Sequence, residues 1–175
     1  MPVLAERGTA GHIGRTALMK YMYFLQTIRG MPLGYDFSMY SYGPFDSNVL
    51  ADLSSAEAMG VVQVTPVEFS GGYGYRISPG IRASAAKNET KAFLTAHEED
   101  IAWLFTVFGS FNSAELELAS TIVYVDRELM ERNECQPVAG VVNRVGEIKP
   151  RFTQPQIRKF VETLLTQRVL VCTTA

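Results

Sequence analysis

Two cysteines and two histidines are all that the 175 residues contain. Cys135 and Cys172 make neither a disulfide framework nor a zinc pattern, so neither staple is expected. A chain this long buries about two-thirds of its unfolded surface and needs none. So few histidines leave little material for metal or acid–base chemistry. No run approaches the roughly 18 apolar residues that a spanning helix requires. The apolar stretch Leu18 to Ile28 is interrupted by Lys20 and Gln26, and no small-residue cleavage site follows it, which argues against a signal peptide. A cytoplasmic location and no membrane partner are therefore expected. One-sided charge is absent too. Sixteen basic and eighteen acidic groups leave a net −2, which excludes a generally cationic coat for nucleic acid or membrane.

What is present is an ordinary folded composition, 47% apolar and 19% charged. Charge is unevenly spread. Residues 1–92 sum to +1, residues 93–134 to −7 and residues 135–175 to +4. A near-neutral first half thus precedes an acidic middle and a basic tail. Neither repeats nor low-complexity segments occur.

Periodicity in the first half predicts helix, strand, helix, hairpin. Arg15 to Arg29 carries apolar residues at three-and-four spacing on a face so wide that the helix should be buried on several sides, ending at Gly30 and Pro32. Tyr35, Phe37 and Met39 alternate with Asp36 and Ser38 as a strand. The alternation then passes to Tyr40 and Tyr42, which predicts a bulge near Met39 and a turn at Gly43-Pro44. Asp46 or Ser47 caps a helix burying Val49, Leu50, Leu53 and Ala56 and closed by Gly60. Residues 61–78 read as a hairpin tipped by Ser70-Gly71-Gly72. A helix leading straight into such a hairpin is the order that ends a winged-helix unit.

The second half reads as helices. Thr95-x-x-Glu98 has the form of a capping box ahead of a stripe Phe93, His97, Ile101, Leu104 and Phe108. A helix starting at Asn112 or Ser113 puts Leu118, Ile122, Val125 and Leu129 on one face. Thr153 and Gln156 form a second capping box, with Phe152 and Ile157 at the staple positions, and Val169 to Val171 suggest a short strand. Polar Ser84 to Thr90 is the one plausible linker. The expected architecture is a mostly α, α+β single domain over 1–175. It has a winged-helix-like lobe with a β-hairpin wing at 15–80 and a helical lobe at 90–172.

Three segments together carry a family likeness: Leu18 to Gln26; Tyr35-Asp-Phe through Tyr42-Gly-Pro-Phe-Asp-Ser47; and Leu116-Glu-Leu-Ala-Ser-Thr-Ile122 with Ile148-Lys-Pro-Arg-Phe152. Over residues 15–168 the chain resembles the YwgA-like family of small, mostly uncharacterised bacterial and archaeal proteins. Over residues 15–65 it also looks like the Panacea domain of SocA-type antitoxins. The likeness implies a winged-helix-like fold and brings no reaction with it. Panacea-type proteins imply an adaptor or antitoxin role with protein partners.

Candidate chemistry is sparse. His97 and Asp100 sit three apart on a helix, a spacing that can share a metal. Acidic residues in a first helical turn also answer the helix dipole, however, and His97 lies on the apolar stripe. Gly71 to Tyr75 lies between strand residues rather than before a helix, so a hairpin tip fits it better than a phosphate loop. No Gly-x-Ser-x-Gly elbow and no His-Glu-x-x-His occur. We therefore expect no enzyme activity, no cofactor, no metal site and no small-molecule ligand.

Aromatic residues point elsewhere. Eight of nineteen fall in the 25 residues from Tyr21 to Phe45. A tight core explains most of them, but Tyr40, Tyr42 and Phe45 should include surface residues suited to a protein partner or a homodimer seam. The alternative is a winged-helix DNA-binding regulator contacting backbone through Arg76, Arg82 and Lys87. The helix at 46–59, the usual reading helix, has three acidic residues and no basic one, which opposes groove entry.

Overall fold

Helix α2, Arg15–Arg29, fulfils the wide apolar face of its sequence, since all eight residues from Leu18 to Leu25 are buried. It ends where Gly30 takes up the left-handed conformation at φ 69°, which glycine adopts without strain. The structure is a computed structural model and describes residues 1–8, 11–69 and 72–174. The chain is mixed α+β and mostly helical, with small sheets, and falls into two compact units.

The first unit comprises residues 1–37 and 45–112. Before α2 come helix α1, Pro2–Arg7, and a two-residue strand β1, Ile13–Gly14. Helix α3, Ser47–Ala58, is capped by Asp46, whose carboxylate accepts from the Asn48 N–H at 2.8 Å. It buries Val49, Leu53 and Ala56 as expected, with Leu50 half-buried. Strands β4, Val62–Phe69, and β5, Gly72–Pro79, pair antiparallel from Val62 opposite Pro79 to Phe69 opposite Gly72. Ser70 and Gly71 of the expected tip lie outside the described residues. Strand β1 adds to β5, giving the order β1-β5-β4. Gly80 permits the close crossing at the base of the hairpin, because a Cβ there would stand 2.3 Å from the Gly60 carbonyl oxygen.

Helices α4, Ala83–Glu89, α5, Lys91–Ala96, and α6, Glu98–Phe108, complete this unit. Two expectations are corrected here. Residues 84–89 of the polar stretch are helical and Thr90 is the cap between α4 and α5, so the stretch is not a linker. Thr95 does not cap anything, because it lies inside α5 and the chain breaks at His97 instead. The core is aromatic: Phe24 stacks on Phe108 at 4.0 Å between ring centroids, and Tyr21 meets Phe105 edge-on at 5.4 Å.

The expected strand at 35–39 also changes. Residues 31–37 belong to no strand, with Gly34 in the left-handed region at φ 79°, and at Tyr35 the Gln26 side chain takes the place of a strand partner. Its amide donates to the Tyr35 carbonyl at 2.7 Å and accepts from the Tyr35 N–H at 2.9 Å. The two short strands are β2, Ser38–Tyr40, and β3, Gly43–Phe45, joined by Ser41-Tyr42. Gly43-Pro44 is thus strand rather than turn. The expected phase slip at Met39 is not seen in the burial, which alternates from Tyr35 to Tyr40 with Met39 half-buried and Tyr40 exposed.

The second unit comprises residues 38–44 and 113–175. Helices α7, Ser113–Glu131, α8, Val138–Ile148, and α9, Gln154–Thr166, pack on one another through Leu118, Ile122, Leu129, Val141, Val145 and Ile157. Helix α8 falls where no element is expected from the sequence. The capping box of α9 forms as expected. The final strand is β7, Thr173–Thr174, parallel to β6, Gln136–Pro137, rather than residues 169–171. Cys135 and Cys172 are joined by a disulfide, contrary to expectation. Strand β7 beside β6 brings their Cα atoms to 4.8 Å, inside bonding range.

Candidate protein-interaction site

The Ser41-Tyr42 turn presents the two most exposed aromatics of the second unit, Tyr40 at 60% and Tyr42 at 69% exposure. Phe45 is half-buried and belongs to the first unit, so it adds no open anchor to the turn. Beneath the turn lies an unusual support. Lys149, only 3% exposed, donates from Nζ to the Ser41 carbonyl and stands 3.0 Å from Glu117 Oε1. Glu117 is equally buried, and its second oxygen accepts from Arg151 Nη2 at 2.6 Å. The Arg151 side chain reaches outward, half-exposed, with its guanidinium 4.9 Å from the Phe152 ring centroid.

Desolvating two such ions costs several kcal/mol each, and only mutual pairing with further hydrogen bonds offsets it. Here the further bonds include the turn carbonyl itself. The pair therefore ties the backbone of the Tyr40–Tyr42 segment to α7 and to the end of α8. A turn held this way loses little entropy when a partner orders its tyrosines. Arginine and tyrosine are also the side chains that most often carry interface energy.

Glu117, Lys149 and Arg151 carry no role in the sequence-based expectations, although the segments containing them do stand out there. The available signal was a carboxylate inside the apolar run Leu116–Ala119 and a lysine between Ile148 and Pro150. Either pattern marks a charge that must be paired if the segment is buried.

The other candidates are dispersed over the first unit. His97 Nδ1 lies 3.0 Å from Asp100 Oδ2, while Asp100 Oδ1 accepts from Arg29 Nε at 2.7 Å. Its hydrogen bond to His97, against the effect of burial and helped by Arg29, holds the Asp100 carboxyl below the usual carboxylate range. The spacing thus sets His97 on one oxygen of Asp100 while Arg29 takes the other. Among the described residues no three histidine, cysteine or carboxylate side chains gather to hold a metal. Tyr35 donates from its hydroxyl to Asp52 at 2.8 Å. Burial, then Asp52 and Asp46, push its phenol well above the ordinary value.

For the nucleic-acid alternative, Arg76 on β5 and Arg82 before α4 are exposed. Lys87 is engaged, donating to both oxygens of Glu6 at 2.7 and 2.9 Å. On α3, Asp46 is buried as the cap, Asp52 accepts from Tyr35, and Glu57 accepts from the Val64 N–H. Its exposed positions carry no cation. Among the described residues no helix is long and apolar enough to cross a membrane. No protein-family model matches the chain, and no curated protein matches it.

Proposed function

We propose that this chain is a non-enzymatic protein-interaction or regulatory module that engages a protein partner, or a second copy of itself, through Tyr40 and Tyr42. One observation carries this: two exposed tyrosines flank a backbone carbonyl gripped from below by a buried lysine–glutamate pair. The likeness of residues 15–65, through Leu18–Gln26 and Tyr35–Ser47, to the Panacea domain of SocA-type antitoxins supports an adaptor or antitoxin role. The test compares the wild type with Tyr40→Ser/Tyr42→Ser, matched by circular dichroism. Sedimentation across a concentration series reads self-association, and affinity capture from the native lysate reads other partners. A protein or self-complex held by the wild type and lost by the double variant supports the module. Identical behaviour of the two proteins removes these tyrosines from the interface.

The second reading is a winged-helix regulator that binds duplex DNA. It is supported by the order α1-β1-α2, then, after the β2–β3 pair, α3-β4-β5, with sheet order β1-β5-β4, since a helix leading into a hairpin is the order expected at the end of a winged-helix unit. It is disfavoured by the missing cations on α3. Fluorescence anisotropy with labelled duplex at two salt concentrations separates the readings. Binding that falls steeply with salt and fails in Arg76→Glu/Arg82→Glu favours the regulator, and no binding at low salt removes it. We further propose a cytoplasmic location. Cytosolic thiols are kept reduced, so recovery of the Cys135–Cys172 bond intact after rapid thiol trapping in cells would argue against it.

A further inference from the structure

Beside α4, within the first unit, lies a cavity of about 340 Å³. Val3, Met59, Val61 and Leu94 give it an apolar wall, and two charged side chains, Arg82 and Glu89, line it as well. Arg82, Ala86 and Glu89 follow at four- and three-residue spacing and so share one face of the helix. The cation stands at the N-cap and the carboxylate on the last helical residue, about 10 Å apart along the axis. The helix dipole favours the opposite order, so helix stability accounts for neither charge.

Three other cations of this unit are engaged: Lys87 with Glu6, Arg29 with Asp100, and Arg15 over the Tyr75 ring at 3.4 Å. Among the described residues, Arg82 and Glu89 have no ion-pair partner. The Arg82 stem passes close to Gly60, where a Cβ would stand 3.8 Å from its Cγ.

We propose that this cavity binds an amphipathic small molecule with an apolar body and one carboxylate, the carboxylate meeting Arg82. A guanidinium presents a planar fork of donors that matches a carboxylate, and the apolar wall removes the body from water. The size is at the small end of ligand pockets, which suits a short acyl chain or a single ring. Glu89, at the far end of the same helix face, repels a second negative charge and selects against dicarboxylic acids of the same length. The site lies in the first unit, is separate from the Tyr40–Tyr42 turn, and stands or falls independently of it.

The test is isothermal titration calorimetry on the full chain with octanoate, octylamine and octanedioate. Octanoate should bind most tightly, and Arg82→Gln should weaken it at least tenfold without a change in circular dichroism. Glu89→Gln should narrow the gap between octanoate and octanedioate. Ala86→Phe, which fills the cavity from the helix face, should abolish binding and guards against a misfolded arginine variant. Failure of octanoate to bind at millimolar concentration overturns the proposal, as does binding that is equal in the wild type and Arg82→Gln. Preference for octylamine would overturn it as well, by assigning the site to a cation at Glu89.

Discussion

Lys149 and Asp100 are both held in ion pairs, with different consequences for stability. Lys149 is inside the second unit with its counter-ion equally buried. Replacing it with methionine leaves Glu117 to Arg151 alone and frees the Ser41 carbonyl. Removal of one partner from such a pair costs about 3–5 kcal/mol. Lys149→Met should therefore shift urea unfolding of the second unit strongly and weaken any contact made through Tyr40 and Tyr42. A loss below about 1 kcal/mol would mean the pair behaves as a surface one.

Asp100 instead gives a pH-dependent effect. Its folded carboxyl titrates below the unfolded value of roughly 3.9. The stability it contributes is therefore present above about pH 4 and is lost as pH falls through the folded value. Asp100→Asn should be less stable than the wild type at neutral pH, with the difference closing in acid. A difference that stayed constant from pH 7 to pH 2 would show that the carboxylate charge contributes nothing. None of these partnerships was legible in the sequence. Arg29 meets Asp100 across 71 residues, and Lys149 meets Ser41 across 108.

At the scale of elements the two Thr-x-x-Glu/Gln patterns are instructive. A capping residue must leave helical geometry so that its side chain can reach back to the N–H groups ahead. Thr153 does so, at φ −73° and ψ 151°, and its hydroxyl accepts from Gln156 N while Gln156 Oε1 accepts from Thr153 N at 2.9 Å. Thr95 carries the same pattern but lies within α5, so the motif is written without being used. Thr153→Ala should cost about 1 kcal/mol and Thr95→Ala less than about 0.5 kcal/mol, read by thermal unfolding at matched conditions. Equal costs would show that the box at Thr153 contributes no more than an exposed threonine.

The same scale explains the strand that failed to pair at 35–37. Alternation there correctly marks an extended chain with one face half-buried. It says nothing about whether a strand or, as here, the Gln26 amide receives the hydrogen bonds. Strand partners are non-local, whereas alternation is a property of the segment alone.

Across the whole molecule, the segregation of charge along the chain disappears on folding. The acidic α7 and the basic residues after it belong to one unit, which holds eight basic and eight acidic groups. Glu117 pairs with Lys149 and Arg151, and Glu128 with Arg132 and Arg144. The acidic residues from Glu115 onward and the basic tail thus share one neutral unit, while Glu98, Glu99 and Asp100 belong to the first unit.

The tail is fastened twice more. The buried Asp126 carboxylate accepts from the backbone N–H groups of Val171, Cys172 and Thr173 and from the Thr173 hydroxyl. The disulfide then closes a 37-residue span. Reduction, or Cys135→Ser, should lower the stability of the second unit by about 2–4 kcal/mol, measured by urea unfolding with and without reductant. An unchanged midpoint would mean that the Asp126 bonds hold the tail unaided.

By itself the sequence determined the helices α2, α3, α7 and α9 and the β4–β5 hairpin. Their signals, apolar spacing and caps and glycine, lie within a few residues of one another. It also indicated that some of Tyr40, Tyr42 and Phe45 reach the surface, and the structure exposes the two tyrosines and half-buries Phe45. Only the tertiary structure decided that Cys135 meets Cys172, that Glu117 is buried with Lys149 beneath the turn, and that Arg82 and Glu89 share a cavity wall. Each of these depends on groups distant in the chain being desolvated together. That cost and its compensation exist only once the chain has closed on itself.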